Sequence, residues 1–164
     1  MADVKLDKEA RARMMSLMPC ASDGTYEWTP DVFREKNGDE YIVPETQWPV
    51  FTLRSMTTQE HTALRKMVLS KANFDKSKPD QVLELSDMMH EAVRKIVTGW
   101  RNIIDVLSGN EYPYEQDPSG GILKEKWSRI PDIIKSELFQ KVCQVCGLIR
   151  LDGDYRMELS KRGF

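Results

Sequence analysis

The stretch from Val82 to Val97 constrains the fold more than any other part of the chain. Val82, Leu85, Met88, Met89, Ala92, Val93, Ile96 and Val97 recur at helical spacing, which gathers them on one side of an α-helix. A stripe this long must be buried against another element, so the chain needs a packed core with this helix in it. Asp80 can cap its start. Trp100, Ile103 and Ile104 continue the apolar face beyond Gly99, so the helix is expected to run on, with Gly99 ending or denting it.

Other elements follow from local chemistry. Thr57-Thr58-Gln59-Glu60 has the form of a capping box, a hydroxyl at the N-cap with a carboxylate three residues on. It predicts a helix whose apolar face is Ala63, Leu64, Met67 and Val68, ending near Lys71. Residues 108–121 read as a loop, and "ILKEKWSRI" as a short helix carrying Ile122, Leu123 and Trp127. Pro131 suits the first turn of a last helix, with Ile133, Ile134, Leu138, Val142, Val145 and Cys146 on its buried side. Upstream, Val32-Phe33 and Tyr41-Ile42-Val43 flank Asn37-Gly38, the preferred centre of a type I′ hairpin turn, and Pro44 closes the second strand. Residues 50–55 alternate as a strand does. The expected fold is mainly α (α+β): a compact helical domain of about four helices with a small N-terminal β-hairpin. Residues 1–30 read as an arm and linker, 31–148 as the domain, and 149–164 as a tail, with both terminal arms flexible.

Composition narrows the function. The 164 residues carry 24 Lys and Arg against 26 Asp and Glu, with 40% hydrophobic residues, so the chain reads as a globular protein long enough to bury a sizeable core. A dedicated nucleic-acid binder shows a basic excess that is lacking here. No segment approaches the roughly 20 apolar residues of a membrane span, and the N-terminus lacks the apolar run of a signal peptide. Three cysteines suit a reducing cytoplasm.

Chemistry-bearing motifs are incomplete. Cys143 and Cys146 form C-x-x-C spacing, but a structural zinc site needs four ligands, and Cys20, His61 and His90 lie in three separate regions. A redox pair normally opens a helix, where the dipole favours the thiolate; this one closes a helix, with Gly147 at the C′ position. No nucleophile elbow or phosphate-binding glycine loop is present, and Asp152-Gly153-Asp154 lacks the later glutamate of a calcium loop. The expectation is a non-enzyme without cofactor or metal, a zinc-binding protein using Cys143 and Cys146 being an alternative. Methionine is generous at nine, grouped as Met14, Met15 and Met18 and as Met88 and Met89. Such side chains suit surfaces that accept varied partners.

A resemblance rests on residues 43–148. There a "V-x-G-W-x-N-x-x-D" stretch (Gly99, Trp100, Asn102, Asp105) meets a "G-N-x-x-P-Y" turn (Gly109, Asn110, Pro113, Tyr114). An "I-P-x-x-I-x-x-E-L" helix (Ile130, Pro131, Glu137, Leu138) closes the domain. This resembles small tail-assembly chaperones of tailed bacteriophages and related phage tail-region proteins. The resemblance implies a non-enzymatic role in tail morphogenesis in the host cytoplasm: binding the tape measure protein or other tail components through an adaptable groove. A structural subunit of the virion (tail, neck or baseplate) is the alternative, and self-association into a homo-oligomer is left open. The partner-binding candidates are Met14, Met15, Met18, Met88, Met89, Trp100, Tyr112 and Tyr114, with Trp100 and Pro113-Tyr114 expected to form a packing clasp.

Overall fold

A computed structural model of the chain describes residues 7–10, 14, 23–72 and 77–145. The fold is mixed α and β, helices packed on a small antiparallel sheet. Strands β1 (Thr25–Trp28), β4 (Val50–Arg54) and β5 (Val97–Arg101) form the sheet in the order β1-β4-β5, and β2 (Lys36–Asn37) and β3 (Glu40–Tyr41) make a separate hairpin. The longer helices are α1 (Thr58–Ala72), α2 (Pro79–Arg94) and α4 (Asp132–Val145), and α3 (Lys124–Trp127) is a single turn.

The central strand alternates as a half-buried strand should: Phe51 and Leu53 are wholly buried, and Val50, Thr52 and Arg54 only partly. Phe51 pairs with Trp100 on β5. These residues and Val97 meet Leu64 of α1, Val93 of α2 and Leu138, Phe139 and Val142 of α4 in one core. The capping box forms: Glu60 N–H donates to Thr57 Oγ1 (3.2 Å), and Thr57 N–H donates to Glu60 Oε1 (3.0 Å).

Five expectations need correction. The helix at 82–97 does not run through Gly99. It ends at Arg94, the chain turns (Ile96 N–H to Val93 O, 2.9 Å), and Val97–Arg101 becomes a strand. Val97 and Trp100 are buried in either geometry, so spacing could not separate the two; the backbone groups of β4 decide in favour of strand. Asp80 is not the cap of α2, because Pro79 already occupies its first turn and Lys78 sits at the N-cap. Val32-Phe33 is a 3-10 turn after Pro30 rather than a strand. The hairpin turn centres on Gly38-Asp39, one residue later than read. Gly38 has φ +68 and is the only described residue of that turn with positive φ, the arrangement of a type II′ turn, with Asn37 in the strand. In α4, Ile133 points to solvent, while Cys143 is fully buried; Cys146 lies outside the described residues.

The expected linker is also more structured than its turn formers suggest. Thr25, Tyr26 and Trp28 favour extended backbone, and β1 pairs along its length with β4 from Thr25↔Arg54 to Trp28↔Phe51.

Candidate partner-binding groove

Helices α1 and α2 stand side by side but do not close on each other. Between them lies a groove of about 530 Å³, floored by Leu64, Val93, Ile96 and Val142 and walled by Ala63, Met67, Met88 and Ala92. Volume on this scale accommodates several side chains. The apolar stripe of α2 is wide enough to serve two purposes: Val93 is buried in the core, while Met88, on the open side, is 48% exposed and lines the groove.

The rim is acidic. Glu60, Glu84, Asp87 and Glu91 border the groove, with Lys95 at one end. Glu60 is held by Arg54 through two 2.7 Å hydrogen bonds, and Glu91 by Arg94 through bonds of 2.9 and 2.7 Å. These arginine contacts hold both carboxyls below the usual carboxylate range. Among the described residues no cation forms an ion pair with Glu84 or Asp87.

Arg94 joins the groove to the loop beyond it. Its side chain is 1% exposed, and besides the fork to Glu91 it donates from Nη1 to Ile122 O (2.6 Å), with Asp117 Oδ2 at 3.7 Å. A buried guanidinium needs this completeness of partners.

The structure divides the predicted binding residues. Met88 lines the groove; Met89 is half-buried against the core. Met14 is exposed, and Met15 and Met18 lie outside the described residues. Trp100 is a core residue, 9% exposed. Its Nε1 donates to Tyr112 O (2.7 Å), its ring stacks on Tyr112 (6.1 Å, 15°) and meets Tyr114 edge-on (5.4 Å, 88°). Tyr114 Oη donates to Val97 O (3.0 Å). The loop thus folds back on Trp100, and the three aromatics fasten it; none of them lines the groove.

Several residues that carry the resemblance build this loop. Asn102 adopts φ +60 and donates from Nδ2 to Trp48 O (3.1 Å). Asp105 Oδ1 accepts from Leu107 N–H (2.9 Å) and Ser108 N–H (3.3 Å), contacts that hold its carboxyl below the ordinary value. The tip they shape presents Val106 and Leu107 at 92% and 96% exposure.

The sequence reading missed Glu84, Asp87 and Glu91. Their signal was present as 3- and 4-residue steps along one edge of α2, but without the neighbouring helix they look like an ordinary solvated face. Of the metal candidates, His90 lies between α2 and α4, its Nε2 3.4 Å from Ser136 Oγ. Among the described residues no three His, Cys, Asp or Glu side chains are grouped to hold a metal ion.

No family model, curated protein or solved structure matches this chain.

Proposed function

We propose that the protein is a non-enzymatic binding protein of phage tail morphogenesis. It holds an apolar helical segment of the tape measure protein, or of another tail component, as an assembly chaperone in the host cytoplasm. The observation that carries this reading is the α1–α2 groove, open, apolar and flanked by Met67 and Met88. Flexible thioether side chains let such a groove accept helices of varied sequence. On this reading the protein is a mainly α domain in function, the helices being its working part and the sheet their base.

The test is co-purification of the tagged protein from infected cells. Recovery of a tail component, lost on Met67→Glu with Met88→Glu, is the expected outcome; recovery undiminished in that variant would refute the assignment of the groove.

A second reading, a structural subunit of the virion, is favoured by the exposed Val106 and Leu107 at the loop tip, an apolar patch suited to a protein contact. Detection of the protein at stoichiometric amount in purified virions would select it.

A further inference from the structure

We infer that the occupant of the α1–α2 groove is a cationic amphipathic helix, one that sets apolar residues into the floor and lysines or arginines against α2. This rests on the binding role proposed above and specifies the chemistry of the partner.

The argument is one of charge complementarity beside an apolar trough. Asp80, Glu84, Asp87 and Glu91 follow one another at steps of four, three and four residues along α2, and such spacing sets them on one edge of the helix. Three of the four border the groove. Glu91 is already engaged by Arg94, but Glu84 and Asp87 are exposed and form no ion pair among the described residues. Two carboxylates three residues apart, with no ion-pair partner among the described residues, leave the lip of the apolar groove negative. Like charges brought up to this edge are repelled, and opposite ones are steered to it.

Geometry favours a helix as the form of the occupant. The α2 wall runs from Glu84 to Val93, roughly 14 Å at 1.5 Å per residue. That length matches about two and a half turns of a partner helix, which offers anchors at i, i+3, i+4 and i+7 to one side and charged flanks to the other. Met67 of α1 and Met88 of α2 both line the groove as adjustable walls.

The probe is a pair of labelled synthetic peptides of roughly 18 residues, long enough to hold helix on a surface. Both carry the same leucine face; one has lysine flanks and the other glutamate. Anisotropy titrations with the full chain are expected to show the lysine peptide binding roughly tenfold or more tightly than the glutamate peptide, the difference shrinking in high salt. Glu84→Lys with Asp87→Lys should reverse the preference while leaving the circular dichroism and melting temperature unchanged, both residues being exposed. Equal binding of the two peptides, or an unaltered preference in the reversed variant, overturns the proposal. Dimerisation of the full chain that the reversal abolishes would put a second copy in the groove and overturn it too. So would lysine-peptide binding that appears only after Arg11→Glu with Arg13→Glu, because the chain's own N-terminal segment would then be the occupant. If infected cells yield a tail component whose capture ignores the reversal, the charge preference falls and the assembly role stands. Peptide preference without any tail component captured does the opposite.

Discussion

Gly121→Ala tests how the loop from Asp105 to Leu123 is fixed to the end of α2. Gly121 has φ +77, and a Cβ there would overlap the carbonyl oxygen of Arg94 while lying 2.6 Å from Lys95 Cα and 2.9 Å from the Arg94 carbonyl carbon. All three obstacles are backbone, so no side-chain rotation relieves them. The left-handed conformation costs a non-glycine residue about 1–2 kcal/mol. Relief of the overlap requires the loop to retreat from α2, and two bonds then break. Ile122 N–H to Arg94 O (3.1 Å) contributes about 1 kcal/mol, and the bond from Arg94 Nη1 to Ile122 O (2.6 Å), charged and buried, about 2 kcal/mol. The total, about 4–5 kcal/mol, lowers the melting temperature of a domain this size by roughly 10 °C or more. Gly120 is the internal control. It also has positive φ, +94, but a Cβ there meets nothing within 4 Å, so Gly120→Ala should cost only the conformational part, about 1–2 kcal/mol. Thermal melts of the two variants, followed by circular dichroism, read the difference directly. Equal melting temperatures would refute the reasoning, since close approach to α2 is all that separates the two sites.

Other expectations follow from the same contacts. Trp100→Ala should cost about 3–5 kcal/mol through lost aromatic packing and expose the 102–115 loop to limited proteolysis; wild-type protease resistance would contradict the clasp. Glu60 and Glu91 have folded values below the ordinary 4.5, so their stabilisation is full above that pH and lost as pH falls through the folded values. Glu60→Gln and Glu91→Gln should each flatten the acid limb of a stability–pH curve measured below about pH 4.5, and an unchanged limb in both would refute the pairing. His90 is lowered from 6.5 chiefly by burial, so the unfolded chain binds its proton more readily. Stability should therefore decline as pH drops below about 6.5, and His90→Gln should remove that decline. Cys143 is fully buried; in a Cys20→Ser, Cys146→Ser background a thiol reagent should label it only on unfolding, and fast labelling of the native protein would show the burial to be wrong.

Local chemistry was legible where it is self-contained. The Thr57–Glu60 capping box closes within four residues and needs nothing from the rest of the chain. The short helix at Lys124–Trp127 was equally local. The larger failures were features whose outcome depends on a distant partner. Val97 to Arg101 reads as helix because Val93, Val97 and Trp100 are helically spaced, yet the same residues suffice for a strand once β4 offers its free edge. Thr25–Trp28 looks like linker until β4 pairs with it.

The groove obeys the same logic, and this bears on how function can be read from such a chain. Met88 was visible as an adaptable side chain, but the methionine pair splits: Met89 turns toward the core and Met88 toward α1. The conspicuous motif residues, Trp100, Asn102, Asp105 and Tyr114, are spent on holding a loop in place. Their side chains are engaged within the domain, through hydrogen bonds and ring contacts, and offer a partner little. Glu84 and Asp87 are inconspicuous in sequence because exposed carboxylates on a helix are ordinary. They acquire meaning only through position, at the lip of an apolar trough made by two helices that the chain must first fold to bring together. A pattern built from the first group marks the scaffold, whereas under the proposed binding role selectivity for a partner rests on the second. Exchanging the charges at 84 and 87 should therefore change what the protein binds without changing how it folds, and the converse should hold for Trp100 and Gly121.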